Sequence, residues 1–308
     1  EQIAKTRPGK PGEYLMANGR GAKLDPDHPL SANDWLAIGE LTGGGATLRI
    51  VSAAALSETD AQSILPPEDA DTAEFDIKLG RVSAKRVRRM GAITLSQSNL
   101  PKPGADLTLS ALLDAVRIHG MDILPVKDAL STLSARISFL HQHKGDPWVS
   151  DYFPVLTERL EDWLEPLLNN AKDFSKLTDG TAVSAAKNLL DWPLPQELDA
   201  LAPTHWRTPT ERNAPISYQG DNAPTVSIRV QEVYGLSQHP RIMESRIPLG
   251  LELLSPAQRP VAFTRDISGF WTGGYADMRK DMRGRYPKHD WPEDPTNAKP
   301  QTGAKRRR

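Results

Sequence analysis

The 308 residues predict a mixed α+β chain: a small β-barrel at the front, a helical middle, and antiparallel strands closed by a late helix. Three observations carry this. Apolar side chains alternate with period two through roughly the first hundred residues, recur at helical spacing between about 105 and 200, and alternate again after 211. Breakers stand at the changes of period, with Leu100-Pro101-Lys102-Pro103-Gly104 at the first and Pro203 and Pro209 at the second. The expected organisation is therefore a barrel over 1–100, a second domain over 105–296 (helical to 200, strand-rich from 211), and a disordered basic tail over 297–308.

In the first block, Glu13-Tyr14-Leu15-Met16, Asp34-Trp35-Leu36-Ala37-Ile38 and Thr47-Leu48-Arg49-Ile50-Val51 are short strand-like runs bounded by turn residues. Glu74 to Leu79 and Val82 to Leu95 continue the pattern, and about five strands so rich in glycine turns suit a barrel. Helical stripes follow: Leu109, Leu112, Leu113 and Val116, stopped near Gly120; Leu130, Leu133, Ile137 and Leu140; and Phe153, Leu156, Leu160, Trp163 and Leu167. Pro166 is expected to kink or end the last of these, and Thr181 to cap a helix over about 182–191. Such stripes are core rather than ligand pocket, because burying an apolar face stabilises the helix. In the third block Val226, Ile228 and Val230 mark one strand and Ile247, Leu249, Leu251 and Leu253 another. Val261 and Phe263 return after a tight connection, and a helix is expected from Gly274 to Arg283 with Tyr275, Met278 and Met282 on one side.

Composition excludes several classes of function. There is no cysteine, hence no disulfide, thiolate nucleophile or Cys-ligated metal. No apolar run approaches the ~20 residues of a membrane span, and Glu1 to Thr6 lacks the basic start and apolar run of a signal peptide. A cytoplasmic, monomeric chain is expected, as a piece of something longer. The net charge of −1 conceals a segregation: residues 1–104 are neutral, 105–210 carry −6 and 211–308 carry +5.

No phosphate loop, G-x-S-x-G elbow, H-E-x-x-H helix or G-x-G-x-x-G fingerprint occurs. His141 and His143 are the only close histidine pair, and two positions apart on a helix they point about 200° from each other, which prevents them from sharing a metal. The adjacent acids Glu68-Asp69 and Glu293-Asp294 read as solvated loop residues rather than an acid–base pair. No catalytic or metal residue is assigned.

Two basic runs are more informative. Lys78, Arg81, Lys85, Arg86, Arg88 and Arg89 contain no acid between them, and Arg279, Lys280, Arg283, Arg285 and Lys288 are opposed only by Asp281. Such clusters bind phosphate backbones by Coulomb attraction and counterion release, and arginine adds a planar fork. Tyr286 offers a stacking face beside the second run. The alternative is that each run is a solvated face, or docks onto the acidic middle block in a protein-interaction module that never touches nucleic acid.

At the C-terminus the sequence becomes specific. Leu253-Leu254-Ser255-Pro256-Ala257-Gln258-Arg259-Pro260 leads through Thr264-Arg265-Asp266 and Gly269-Phe270-Trp271 to Tyr275-Ala276-Asp277-Met278-Arg279-Lys280-Asp281-Met282-Arg283-Gly284-Arg285-Tyr286-Pro287-Lys288-His289 and Trp291-Pro292-Glu293-Asp294-Pro295. This stretch closely resembles the C-terminal extension of the HrpB-type ATP-dependent helicases of the DEAH-box group. Gly12-Glu13-Tyr14-Leu15-Met16-Ala17-Asn18-Gly19-Arg20-Gly21-Ala22-Lys23-Leu24-Asp25 resembles the start of that family's oligonucleotide-binding-type (OB-like) barrel.

The resemblance implies a non-motor fragment. In the family, ATP and Mg²⁺ are bound and hydrolysis occurs in upstream RecA-like domains with no counterpart here, so this chain would hold no cofactor and no catalytic residue. Its implied partners are those upstream domains and single-stranded nucleic acid, expected to be RNA, with no membrane. Arg20, Lys23 and the 78–89 run become candidates for backbone contact through the barrel. Trp271, Tyr275, Tyr286, Pro287 and Trp291 are expected to be structural anchors rather than base-stacking residues.

Overall fold

A computed structural model describes residues 2–303 except Ala46 and Asn222. The chain divides into two compact units, Glu1–Ile118 with Leu168–Lys176, and His119–Leu167 with Leu177–Arg308. Thus the first unit extends past the expected boundary near 100–105 and also takes in a short segment from the middle of the chain.

In the first unit, β1 (Ile3–Arg7), β2 (Lys10–Met16), β3 (Gly21–Lys23), β4 (Trp35–Thr42) and β5 (Thr47–Ala55) close a barrel in the order β1-β2-β3-β5-β4. Ala4, Tyr14, Met16, Ala22, Leu36, Ile38 and Ile50 fill it. The buried Tyr14 hydroxyl lies 3.0 Å from the Leu30 carbonyl and 2.9 Å from that of Asn33, tying down the turn between β3 and β4. Helix α1 (Glu58–Ile64) follows, capped by Ser57, whose side chain accepts from the Asp60 amide. The barrel is complete at Ala55, so the strands expected after it form a sheet of their own: β6 (Glu68–Asp76), β7 (Arg81–Met90) and β8 (Ile93–Asn99), with β7 in the centre. Strand β1 escapes the period-two pattern because both Ile3 and Ala4 are buried although they are neighbours. Helix α2 (Ala105–His119) runs to Gly120, whose φ of +75° fits the expected stop.

A second cluster joins the sheet to the barrel. Met90 and Ile93, at the β7–β8 turn, are buried with Ile3, Ala17, Trp35 and Ala61. Burying two such side chains stabilises the joint by roughly 1.5–3 kcal/mol each. At the turn, the Ala92 amide donates to the Ala17 carbonyl at 2.8 Å. Gly91 has φ +57°, and a Cβ there would stand 2.3 Å from that same carbonyl oxygen, so the close approach requires glycine.

The second unit contains α3 (Lys127–Lys144), α4 (Phe153–Glu158), α5 (Leu160–Trp163), α6 (Asp179–Lys187) and α7 (Leu194–Leu201). The α3 stripe of Leu130, Leu133, Ile137 and Leu140 is buried as expected. Arg136, also buried, donates to the Ala202 and Leu198 carbonyls and to Asp199. Two details differ from expectation. The 153–167 stripe breaks at Arg159 (φ −115°, ψ 34°) before Pro166, which lies in a short 3-10 turn. Thr178, rather than Thr181, caps α6; Thr181 is its partner in a capping box. His141 points Nδ1 at the Trp148 carbonyl, whereas His143 packs edge-on against Phe139.

After α7 come β9 (His205–Arg207), β10 (Asn213–Pro215), β11 (Thr225–Arg229), β12 (Arg241–Ile242), β13 (Ile247–Pro248), β14 (Gly250–Leu254) and β15 (Pro260–Thr264), then α8 (Ile267–Thr272) and α9 (Gly274–Arg285). The expected β14–β15 hairpin forms, but β11 pairs with β14 in parallel, so the sheet is mixed. As the central strand, β14 buries Leu251, Leu253 and Leu254, which blurs its alternation. Of the residues expected to form a disordered tail, Gln301 donates its amide to the Gln231 carbonyl and Thr302 accepts from Arg229, because these groups pair with the turn after β11. Lys305-Arg306-Arg307-Arg308 lies outside the described residues.

Candidate nucleic-acid interface

Strand β7 carries most of the first basic run, and its register determines what each cation faces. Its neighbour β6 is acidic: Glu68 stands opposite Arg89, Asp69 opposite Arg88, Asp71 opposite Arg86 and Asp76 opposite Arg81. Opposite charges across a strand pair stabilise the register. Glu68 and Asp69, expected in a loop, are thus strand residues, and the acidic complement to the run comes from its own hairpin rather than the middle block. Only Asp71 and Arg86 form an ion pair in this hairpin among the described residues, and it is bidentate, with Nε–Oδ1 at 2.8 Å and Nη2–Oδ2 at 3.0 Å. The Arg86 guanidinium holds the Asp71 carboxyl below its usual range, and the carboxylate in turn raises Arg86.

On the other side, β8 is uncharged and presents Thr94, Ser96, Gln97, Ser98 and Asn99 to solvent or near it. Arg88 pairs with Ser96, Arg86 with Ser98 and Lys85 with Asn99. Arginine and lysine beside hydroxyls and amides are the side-chain types that contact phosphate and sugar. This polar strand escaped sequence reasoning, since an uncharged run between a basic run and a proline-rich linker carries no period or charge signal.

The clamp between Ala92 and Ala17 brings Arg20 to the basic end of β7. Arg20 lies in the turn from β2 to β3, with its amide bonded to Asn18 Oδ1, and its guanidinium reaches the Gly45 carbonyl only at 3.5 Å. Arg88 and Arg89 immediately precede the clamped β7–β8 turn, and all three arginines are exposed. Lys23 is drawn aside: it pairs across β2–β3 with Glu13 at 3.1 Å and lowers the pKa of that carboxyl.

The second run is divided in its uses. On α9, Arg279 donates Nε to the Trp291 carbonyl at 2.9 Å and reaches Glu293 at 3.1 Å, so its task is to hold the C-terminal segment. Arg285 pairs with Asp281. Lys280, Arg283 and Lys288 are exposed and form no ion pair among the described residues. The aromatic residues around them are anchors: Trp271 donates to the Leu236 carbonyl, Tyr275 to that of Pro292, and Trp291 to that of Tyr286. Tyr234, Phe270, Trp271 and Tyr275 pack ring against ring. Asp294 is exposed in a loop, as expected, and accepts from Thr296 and Asn297.

Residues 163–295 match the model of the ATP-dependent helicase C-terminal family HrpB_C. Those residues belong to the HrpB C-terminal family. Over 97% of its length the chain is 36% identical to the ATP-dependent RNA helicase HrpB of Escherichia coli, covering 38% of that protein. It also superposes on the crystal structure of the E. coli DExH-box NTPase HrpB with a TM-score of 0.60 at 36% identity, covering 97% of this chain and 38% of that one. A second structure, of the Escherichia coli DEAH/RHA helicase HrpB, gives a TM-score of 0.55 at 34% identity, with 94% and 37% covered. The chain therefore spans a little over a third of the length of the HrpB proteins it matches.

Proposed function

We propose that this chain is the non-motor, C-terminal part of an HrpB-type ATP-dependent helicase and serves as an accessory grip on single-stranded nucleic acid, with RNA as the substrate. Residues 1–100 supply the oligonucleotide-binding-type portion and 105–296 the extension. ATP and Mg²⁺ are handled by upstream motor domains, which are also its docking partners, in a monomeric cytoplasmic protein. The observation that carries the grip is the Ala92–Ala17 clamp, which sets the turn bearing Arg20 against the β7–β8 turn that Arg88 and Arg89 precede, beside the hydroxyl-bearing β8 and with none of the three in an ion pair among the described residues. Arg81 and Lys85 extend the track along β7, and Lys280, Arg283 and Lys288 form a second, weaker contact. Arg86, Lys23, Arg285 and Arg279 act chiefly within the protein.

The test is a titration of labelled single-stranded RNA at several salt concentrations. Each phosphate contact contributes roughly 0.7 to the slope of log affinity against log salt for a single strand. Replacing Arg20, Arg88 and Arg89 together with Ala flattens that slope by about 2. An unchanged slope removes this grip, and capture of a nuclease-resistant protein partner with no RNA binding favours the interaction-module alternative.

A further inference from the structure

The far end of the β6–β7 hairpin is used by none of these contacts. Its turn, Ile77-Lys78-Leu79-Gly80, exposes two aliphatic side chains, Ile77 at 52% and Leu79 at 60%. Hairpin turns ordinarily carry small polar residues, so an exposed aliphatic pair is unusual. The turn is also held in shape. Asp76 Oδ1 accepts the amides of Lys78 and Leu79 at 2.9 and 3.1 Å, the Gly80 amide bonds the Asp76 carbonyl at 2.8 Å, and Gly80 adopts φ +63°.

A collar of cations, interrupted by Asp76 and Asp173, flanks the pair along the chain and beside Phe75. Lys78 and Arg81 flank it in sequence. Phe75, two residues before Ile77, packs on Phe174 with ring centroids 5.0 Å apart, which brings the exposed Lys172 and Lys176 to the same end of the hairpin. None of the four forms an ion pair among the described residues. Cations at the rim of an aliphatic pair suit a polyanion, since phosphates neutralise lysine and arginine with release of counterions. Nucleic acid meets both demands, offering phosphates to the collar and base faces to the aliphatics, and apolar wedges flanked by cations are a known means of unstacking bases.

We propose that the β6–β7 tip is a base-contacting wedge: Ile77 and Leu79 press against or between bases while Lys78, Arg81, Lys172 and Lys176 hold the flanking phosphates. The wedge rests on the nucleic-acid function proposed above but uses different residues. Eight steps of strand separate Arg81 from Arg89, about 27 Å, so the two sites are some four to five nucleotides apart along an extended strand.

The experiment uses the 308-residue chain and an RNA with 2-aminopurine at a single-strand/duplex junction, whose fluorescence rises when the base unstacks. Wild type is expected to raise it about twofold or more. The Ile77→Asn/Leu79→Asn variant, whose thermal melting stays unchanged because both side chains are exposed, retains the salt slope and binds within about threefold of wild type, yet loses the rise. Binding without a fluorescence change in wild type, or an undiminished rise in the variant, overturns the wedge and leaves the arginine grip standing. No salt-dependent binding by wild type overturns both. Co-sedimentation with vesicles of anionic phospholipid that the variant loses assigns the tip to a membrane surface and likewise overturns the wedge.

Discussion

Tyr14 and His239 show how single polar side chains hold distant backbone. Tyr14 is buried in the barrel, and its hydroxyl serves the carbonyls of Leu30 and Asn33; burial raises its pKa, with Asp34 adding to the effect. Tyr14→Phe removes a donor from these part-buried carbonyls, of which that of Leu30 keeps the Asn33 amide, and is expected to cost on the order of 1 kcal/mol, read as a lower urea midpoint of the first unit. His239 acts between strands and helix. Its Nε2 donates to the Leu249 carbonyl at 2.6 Å, and its Nδ1 accepts the Ile267 amide at 3.1 Å, capping α8 from 28 residues away. This arrangement requires the neutral ring, and burial lowers the pKa, with Asp266 opposing and Arg241 assisting. Since the unfolded state then binds the extra proton more readily, the stabilisation is complete above the ordinary histidine pKa and is lost as pH falls through the lowered folded value. Stability measured from pH 7 down to pH 5 should therefore decline more steeply in wild type than in His239→Gln; parallel curves would disprove the assignment.

At the scale of elements, the β6–β7 hairpin is the instructive case. A strand with five cations would repel itself if it stood alone, and β6 sets an acid opposite four of them. Arg86 is occupied by Asp71, whereas Arg88 and Arg89 are not in ion-pair contact. A signed prediction follows: Asp71→Asn releases Arg86, and single-stranded RNA affinity at low salt rises while the salt slope steepens by up to about 0.7. Arg86→Ala in the wild-type background changes the slope less than Arg88→Ala. Equal effects of the two would mean that the ion pair opens on binding.

For the whole molecule, the grip and the motor are separable on the proposed function. In a full-length HrpB-type protein, Ala at Arg20, Arg88 and Arg89 should leave basal ATP hydrolysis unchanged while raising the RNA concentration needed for half-maximal stimulation by about tenfold or more, in line with a slope change of 2. A loss of basal hydrolysis would show instead that these arginines support the motor fold.

The amino-acid sequence by itself determined the local matters. Period two against helical spacing located most strands and helices, prolines and glycines marked the joints, and the Trp-, Tyr- and Arg-rich string from 253 to 295 revealed the family. These signals are local because they follow from side chains a few residues apart. Tertiary structure alone decided which cations are available. Nothing along the chain shows that the Ala92 amide meets the Ala17 carbonyl and sets the turn bearing Arg20 beside the β7–β8 turn, or that Phe174 seats its segment on Phe75 near the hairpin tip. Nor does the spacing of Arg279 distinguish it from Lys280, although the first is bonded to the Trp291 carbonyl and the second faces water. Charge acts through space and is cancelled by whatever lies within a few ångströms, so a count of cations becomes a binding surface only after the fold has chosen their neighbours.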